Sequence, residues 1–361
     1  MTVTKKAGVL GATGSVGQKF ILLLSEHPDF ELYKLGASER SAGKKYENAV
    51  KWRQTATVPE FAKPKVVVEC KPEEFLDCDV VFSGLDSDVA GDIETAFSDA
   101  GLLVVSNAKN HRMDDDVPLV VPLVNPNHLD VTVRKLKTAK AQNVKKGSIV
   151  CISNCSTAGL VVPLGALVEK FGTISQCMVT TMQAISGAGF APGVLGFDIL
   201  DNVIPYISGE EDKLETEVSK ILGGVSEADV FVDRPGMTIS AQCNRVAVSD
   251  GHLECVSIKF EQSPPPSLEE VKQAMRDYVC EPQTLGCFSA PQHTIYVLDE
   301  PDRPQPRLDR DRDNGYAVSV GRVRPDPIFD YKFIVLSHNT ILGAAGAGVL
   351  IAETLLAKGA M

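Results

Sequence analysis

Short apolar runs alternate with helical patterns over the first 150 residues. Runs that predict strands occur at 7–10, 30–35, 65–69, 79–82 and 102–105. Between them, segments such as 16–25 and 88–100 have the spacing of amphipathic helices. Repeated β-α-β units imply a parallel sheet that helices cover on both faces. We therefore expect an α/β domain of the Rossmann type over residues 1–152.

The pattern changes after residue 152. Strands are predicted at 177–185, 245–248, 254–260, 317–323 and 331–336, and helices at 213–222 and 268–278. Strands with so few helical crossovers favour an α+β domain on a mixed or antiparallel sheet, which we expect over 153–339. The segment 340–361 is apolar and rich in small residues, so it predicts a closely packed, buried helix that completes the first domain.

Composition limits the classes of protein that the chain can represent. It has 361 residues, of which 44% are hydrophobic and 23% charged, and this predicts a soluble protein of about two domains. The net charge of −11 argues against nucleic acid as the main partner. Nine cysteines without a C-x-x-C pair, and no secretory or membrane-spanning pattern, predict a cytoplasmic protein without membrane association or a zinc site.

A glycine-rich loop follows the first predicted strand and opens the first helix. Its sequence is Gly11-Ala12-Thr13-Gly14-Ser15-Val16-Gly17. Glycines allow a tight turn and let a pyrophosphate approach the helix N-terminus, although a structural turn is the alternative. The predicted dinucleotide contacts are Gly11, Thr13, Gly14, Ser15 and Val16.

The residues at the end of the second strand indicate whether the dinucleotide is NAD or NADP. An acidic residue there usually binds the ribose 2′-hydroxyl of NAD. This chain has Ser38, Arg40, Ser41 and Lys44, which could hold the 2′-phosphate of NADP. Glu39 must point away for this to work. The sequence favours NADP.

Cys155 lies between an apolar strand and an apolar helix. Free N–H groups and the helix dipole favour the nucleophilic thiolate at such a position. A buried, inert cysteine is the alternative, and Cys151 inside the strand is read that way. Among the six histidines, His252 follows the turn Ser249-Asp250-Gly251, so it is expected to project from a rim as a proton shuttle.

Four motifs together resemble one family over nearly the whole chain. They are the loop 11–17, Ser153-Asn154-Cys155-Ser156-Thr157, Gln183-Ala184-Ile185-Ser186-Gly187-Ala188-Gly189, and Arg245 followed seven residues later by His252. The chain resembles aspartate-semialdehyde dehydrogenase. The run 208–213 and the small residues near the C-terminus are most similar to its archaeal and fungal branch.

The resemblance implies a role for each matching residue. Cys155 would be the nucleophile, His252 the acid/base and Gln183 the residue that orients the substrate. The implied substrate contacts are Arg245 for the carboxylate, Glu210 for the ammonium, Lys213 and Arg112 for phosphate, and Asn110 and Asn154 near the same pocket. Further implied cofactor contacts are Ser83, Gly187 and Asn339.

The implied reaction converts L-4-aspartyl phosphate and NADPH to L-aspartate 4-semialdehyde, phosphate and NADP, in lysine, methionine and threonine synthesis, by a homodimer or homotetramer. The residues taken singly allow plainer readings. Arg245 could be a surface charge, Glu210 and Lys213 a solvated i, i+3 pair, and Arg112 a partner of the acids at 114–116. Two other functions stay open: an N-acetyl-glutamyl-phosphate reductase, and a catalytically silent NADP-binding redox sensor.

Overall fold

The N-terminal part of the chain forms a seven-stranded parallel sheet, in a computed structural model that describes residues 4–190 and 193–361. Its strands are β1 (Lys5–Leu10), β2 (Phe30–Ala37), β3 (Val67–Glu69), β4 (Val80–Ser83), β5 (Leu103–Ser106), β6 (Leu119–Val120) and β7 (Ser148–Ile152). They lie in the order β3-β2-β1-β4-β5-β7-β6. The connecting helices are α1 (Ser15–Leu23), α2 (Tyr46–Ala49), α3 (Ser87–Asp99) and α4 (Leu129–Ala141). The central strands are buried along their whole length, as expected for a sheet covered on both faces.

The second sheet has six strands and mixed pairing, which confirms the predicted fold class. Its strands are β8 (Ile174–Gln183), β11 (Thr238–Arg245), β12 (His252–Phe260), β13 (Ile295–Leu298), β14 (Val318–Pro325) and β15 (Tyr331–Ser337), and a separate hairpin pairs β9 (Gly224–Val225) with β10 (Phe231–Val232). The order is β11-β8-β12-β15-β14-β13. The strand predicted at 245–248 was wrong. Arg245 ends β11, because the chain then turns through Gly251, at φ +95°, into β12.

Helices join and cover the two sheets. They are α5 (Cys155–Phe171), α6 (Gly196–Ile199), α7 (Glu210–Ile221), α8 (Leu268–Arg276), α9 (Glu281–Thr284), α10 (Pro306–Asp309) and α11 (Gly346–Ala357). Short 3₁₀ or π turns occur at Pro72–Glu74, Pro126–His128, Ile185–Ala188, Arg312–Gly315 and Ile341–Ala345. Helix α5 is buried from Ser156 to Val168 and packs on the second sheet and on α7.

The last helix packs with the N-terminal part of the chain. Ala347, Val349 and Ile351 of α11 share a hydrophobic cluster with Phe20 and other residues of the first sheet's layer. Across residues 4–190 and 193–361, no helix combines the length and apolar character that crossing a bilayer requires.

Candidate active site

A large cavity lies between the two sheets. Its volume is about 1700 Å³, and it extends from the loop before α1 to the start of α5. The predicted site residues that line it are Gly11, Thr13, Gly14, Ser15, Val16, Ser38, Arg40, Arg112, Asn154, Cys155, Gly187, Glu210, Lys213 and Asn339. The glycine loop and the predicted nucleophile therefore open into one continuous space.

Cys155 is the first residue of α5, directly after β7 and a two-residue link. Asn154 caps this helix: its Oδ1 accepts hydrogen bonds from the N–H groups of Ser156 at 2.9 Å and Thr157 at 3.3 Å. These bonds satisfy N–H groups that a first helical turn leaves free. The cap fixes the turn that carries the thiol.

His252 begins β12 and faces this thiol. Its Nε2 lies 3.2 Å from Cys155 Sγ, and its Nδ1 accepts a hydrogen bond from the N–H of Ala184 at 3.0 Å. The second bond orients the ring, so Nε2 is the nitrogen presented to the thiol. The prediction that His252 projects from a rim was wrong. The side chain is fully buried because the turn around Gly187 lies against the ring.

Burial dominates the electrostatics of this pair. It raises the pKa of the Cys155 thiol to about 12, and Glu210 adds to the rise, while Arg245 and Arg112 oppose it. Burial also lowers the pKa of His252 to about 3, and Arg245 lowers it further. The pair is therefore neutral near pH 7. Desolvation of the thiol therefore opposes the thiolate that the helix start predicts.

Glu210, at the start of α7, is held by three donors. Asn154 Nδ2 donates to its Oε1 and Oε2 at 3.1 and 2.9 Å, Lys213 Nζ to Oε1 at 2.6 Å, and Gln183 Nε2 to Oε2 at 3.3 Å. Burial pushes the pKa of Glu210 upward, but Lys213 and the hydrogen bonds together bring it below its ordinary value. An ionised carboxylate therefore stands beside the Cys155 turn, and the reading of Glu210 as a solvated surface residue was wrong.

Gln183 and Arg245 end two adjacent parallel strands, β8 and β11, where the register pairs them directly. Both are buried, at 1% and 7% exposure, so Arg245 is not a surface charge. Arg245 Nη1 donates to the backbone oxygen of Ala184 at 2.8 Å. Burial lowers the pKa of this guanidinium, and Cys155 and Glu210 oppose the effect. A cation thus lies at the same sheet edge as His252.

Arg112 reaches the cavity from the segment between β5 and β6. Its Nη1 donates to Glu217 Oε1 at 2.9 Å and its Nη2 to the backbone oxygen of Asn107 at 2.9 Å. Burial lowers the pKa of Arg112, but Glu217 more than reverses this and leaves it raised. The alternative pairing with the acids at 114–116 was wrong, because the guanidinium turns inward to Glu217 of α7.

The glycine loop has the backbone shape of a phosphate cradle. Gly11 lies at φ +68°, and a Cβ there would come within 2.5 Å of the backbone oxygen of Gly84. A Cβ on Gly17 would come within 2.2 Å of Gly11 O. Among the described residues, no side chain caps α1 at Gly14, so the first N–H groups of that helix stay available. These features fit a dinucleotide pyrophosphate.

The rim beyond β2 is exposed. Ser38, Glu39 and Arg40 line the cavity there, and the N–H of Ser41 donates to Ser38 O at 2.8 Å in a tight turn. Lys44 Nζ donates to Arg40 O at 2.6 Å. Glu39 lies between Ser38 and Arg40 and is exposed, so water screens its charge.

Gly187 and Asn339 lie where the two parts of the cavity meet. A Cβ on Gly187 would stand 3.0 Å from Arg245 Nη1, so this position favours glycine. Asn339 Oδ1 accepts from the N–H of Gly251 at 2.8 Å, and its Nδ2 donates to Ser186 Oγ at 2.9 Å. The bonds fix the Asn339 side chain at the wall of the cavity.

Two predicted site residues turn away from the cavity. Ser83 is fully buried at the end of β4, beside Glu94 of α3, and its neighbours Gly84 and Leu85 line the cavity instead. Asn110 is exposed, and its Nδ2 donates to Ser87 O at 3.0 Å at the start of α3. Neither side chain lines the cavity, because both face α3, and their contacts with cofactor and substrate stay predictions.

The sequence interpretation missed Gly343 and Glu217. A Cβ on Gly343 would come within 2.8 Å of Cys155 Cβ, so the turn before α11 packs directly on the nucleophile. Gly343 and Cys155 are far apart in the sequence, so no local pattern indicates their contact. Glu217 follows Glu210 by seven residues, or two helical turns, and so lies on the same face of α7. That spacing was a usable signal.

Comparisons with known proteins give this geometry a family. The model for "Semialdehyde dehydrogenase, NAD binding domain" matches residues 6–132, and that for "Semialdehyde dehydrogenase, dimerisation domain" matches residues 164–342. The aspartate-semialdehyde dehydrogenase of Candida albicans is 67% identical over 98% of both chains, and that of Saccharomyces cerevisiae is 63% identical over 99% of both. The chain belongs to the aspartate-semialdehyde dehydrogenase family.

Members of this family from archaea and bacteria are also similar. The aspartate-semialdehyde dehydrogenase of Archaeoglobus fulgidus is 46% identical over 97% of both chains. The crystal structure of the Candida albicans enzyme with NADP matches 99% of this chain and 100% of its own, with a TM-score of 0.95 and 64% identity. The Vibrio cholerae enzyme II complexed with ASA covers 98% of both chains, with a TM-score of 0.73 and 26% identity. The predicted family, its fungal and archaeal branch and the two-part fold are confirmed.

Proposed function

We propose that the chain catalyses the NADPH-dependent reductive dephosphorylation of L-4-aspartyl phosphate to L-aspartate 4-semialdehyde, as a step of lysine, methionine and threonine synthesis. The observation that carries the proposal is the 3.2 Å approach of His252 Nε2 to Cys155 Sγ, beside a buried carboxylate and a buried guanidinium. A nucleophile, a proton carrier and two groups of opposite charge are what an amino-acid acyl phosphate requires.

In the first step, Cys155 Sγ attacks the acyl carbon and phosphate leaves, so that a thioester joins substrate and enzyme. The thiol is neutral at rest, because burial raises its pKa to about 12. Its proton must therefore leave as the C–S bond forms, and the departing phosphate carries it away as hydrogen phosphate. His252 Nδ1 accepts from the Ala184 N–H, so the neutral ring holds its proton on Nε2, which faces Sγ. The backbone N–H of Cys155, which Asn154 does not take up, supports the negative charge on the substrate oxygen.

Arg245 and Glu210 hold the amino-acid end of the substrate. The guanidinium suits a bidentate grip on the α-carboxylate, and the ionised Glu210 attracts the ammonium. A carboxylate on Arg245 also neutralises the cation that lowers the pKa of His252. Substrate binding therefore raises the proton affinity of His252. Its Nε2–H would donate to the negative oxygen that forms on reduction of the thioester, and then to Cys155 Sγ as the C–S bond breaks and the aldehyde leaves. Gln183 orients the thioester, and Asn154 keeps Glu210 in place.

Lys213 and Arg112 form the phosphate end of the pocket. Both line the cavity, and Lys213 Nζ lies on the Glu210 side of it. Two cations near the leaving group stabilise the departing phosphate and, in the reverse direction, bring phosphate to the thioester.

NADP fits the opposite end. The N–H groups at the start of α1 would hold the pyrophosphate, and Ser38, Arg40 and Ser41 the 2′-phosphate. Gly187 and Asn339 would flank the nicotinamide, which supplies hydride to the thioester when bound. The enclosed wall between Asn339 and Gly187 excludes water from the thioester at that stage.

Glu210 separates this function from that of an N-acetyl-glutamyl-phosphate reductase. A free ammonium needs a carboxylate partner, and Glu210 can serve beside Lys213, whereas an acetylated amine carries no charge for this carboxylate to meet. The direct test is phosphate-dependent reduction of NADP by aspartate semialdehyde, with C155S in parallel and the N-acetylated glutamate aldehyde as competing substrate. Turnover that needs phosphate and Cys155 and ignores the acetylated aldehyde is expected. NADP binding without any turnover would favour the redox sensor and contradict the proposal.

We infer that residues 1–152 with 340–361 form the NADP-binding domain, and that 153–339 form the catalytic and dimerisation domain of a cytoplasmic homodimer or dimer of dimers. The open face of the second sheet supports pairing, since Met178, Ser240, Gln242 and Cys255 are exposed on it. The nine free cysteines support a reducing compartment. Light scattering that gives the mass of a monomer at micromolar concentration would contradict the dimer.

A further inference from the structure

Glu217 is a buried carboxylate that the reaction outlined above does not use. It lies on α7, two helical turns after Glu210, and is 2% exposed. Its Oε1 accepts from Arg112 Nη1 at 2.9 Å, and its Oε2 accepts from the backbone N–H of Asn154 at 2.7 Å. One side chain therefore contacts both the phosphate arginine and the residue before the nucleophile.

Asn154 is held by α7 at two points. Glu217 binds its backbone N–H, and Glu210 binds its side-chain amide. Asn154 in turn caps α5, so the position of the Cys155 turn depends on both carboxylates of α7. Charge-assisted hydrogen bonds inside a protein are the strong ones, so this pair of contacts sets the position of the turn firmly.

Arg112 is fixed by the same carboxylate. Its two Nη groups are engaged by Glu217 and by a backbone oxygen, while its buried Nε has no hydrogen-bond partner among the described atoms. Arg112 lines the cavity, so an anion there would meet a guanidinium whose plane Glu217 has already set. Pre-organisation of this kind reduces the cost of ordering the side chain on binding.

We propose that Glu217 is a positioning residue that holds the phosphate-binding guanidinium of Arg112 and the Cys155 turn in one fixed relation. This inference rests on the proposed function. A purely structural carboxylate would serve the fold alone, whereas this one couples phosphate binding to the state of the thiol. Its negative charge also offsets the Arg112 cation near Cys155.

The test compares E217Q with E215Q in the full-length enzyme. Glutamine can still accept from the Asn154 N–H but cannot pair with Arg112. Glu215 is the matched control, because it lies on the same helix and accepts the N–H of Ala241 at 2.9 Å, outside the cavity. The assays are the KM for inorganic phosphate, kcat, and the pH dependence of Cys155 alkylation by iodoacetamide.

For E217Q we expect the KM for phosphate to rise by about tenfold with kcat changed by less than about threefold. The alkylation profile should move to lower pH, since an unpaired Arg112 cation favours thiolate. E215Q should match the wild type in all three. E217Q that matches E215Q in KM and in alkylation overturns the inference.

If E217Q does not fold, E217D tests the inference instead, since it keeps the negative charge and shortens the side chain. A wild-type KM for phosphate in E217D would overturn the inference, and a raised KM with an unchanged alkylation profile would support it. Absence of turnover in the wild type would contradict the proposed function instead. The alkylation shift would still test Glu217 in that case.

Discussion

The two ends of the cavity are built from different materials. The catalytic end gathers mostly buried polar and charged side chains from β8, β11, β12, α5 and α7, held by hydrogen bonds to one another or to the backbone. The cofactor end consists of a glycine loop and an exposed rim at Ser38 and Arg40. Chemistry at the first end depends on where each charge stands, and binding at the second depends on backbone shape.

This difference sets the size of the expected mutational effects. Removing one partner of a buried charged pair leaves the other unsatisfied and costs about 3–5 kcal/mol. An exposed charge on the rim is screened and contributes about 1 kcal/mol or less. Substitutions at the catalytic end should therefore weaken turnover far more than those at the rim weaken cofactor binding.

The largest effect is expected for R245K. Lysine keeps the charge but loses the planar fork that grips a carboxylate and the bond to Ala184 O. We expect kcat/KM for aspartate semialdehyde to fall by about 10³-fold. The dissociation constant of NADPH, followed by its fluorescence, should stay within about twofold of the wild type. A loss of NADPH binding of similar size would show that the two ends are not separate.

A smaller effect is expected for E210Q. The substitution removes the charge that meets the substrate ammonium and leaves Lys213 without its partner at 2.6 Å. We expect the KM for aspartate semialdehyde to rise by about 30- to 100-fold, as for loss of a charge-assisted hydrogen bond. Steady-state kinetics measure this, with E211Q as control, because Glu211 only accepts the Cys243 N–H. An unchanged KM for aspartate semialdehyde would show that Glu210 does not bind the substrate ammonium.

The smallest kinetic effect is expected for R40A at the exposed rim. Loss of one screened cation should raise the KM for NADPH by about three- to fivefold and leave the KM for NADH nearly unchanged. Comparing both coenzymes in one assay isolates the contribution of the 2′-phosphate. Equal changes for NADPH and NADH would mean that Arg40 does not read that group.

The pH dependence of thiol labelling sharpens the account of the catalytic end. Burial raises the pKa of Cys155 to about 12 and outweighs the effect of the cations around it. Labelling by iodoacetamide in the absence of substrate should therefore rise steeply only in strongly alkaline buffer. A labelling profile with its midpoint near neutral pH would contradict this account and support the thiolate that the helix start predicts.

The prediction of the cofactor end rests on local sequence signals. The glycines from Gly11 to Gly17 form one short segment and the polar residues after β2 form another, so each signal lies within a few neighbouring residues. The catalytic end depends on contacts between distant segments, such as Gly343 against Cys155 and Arg112 with Glu217. The periodicity of hydrophobic residues does not indicate which distant side chains come into contact.

The thiol illustrates the same limit in energetic terms. A helix N-terminus lowers a thiol pKa through a local dipole, which the sequence displays. The opposing desolvation comes from the packing of the turn before α11 and of α7 around Cys155, which only the folded chain contains. The residue identities were predictable, and the balance of charge and burial was not.

The most direct test of the account is to look for the acyl group on Cys155. Aspartate semialdehyde and NADP are mixed with enzyme in the absence of phosphate, and the peptides are analysed by mass spectrometry after an acid quench. The account predicts an aspartyl thioester on the Cys155 peptide, absent in C155S and discharged when phosphate is added before the quench. Turnover by the wild type with an acyl group on another residue, or equal labelling of C155S, would contradict it.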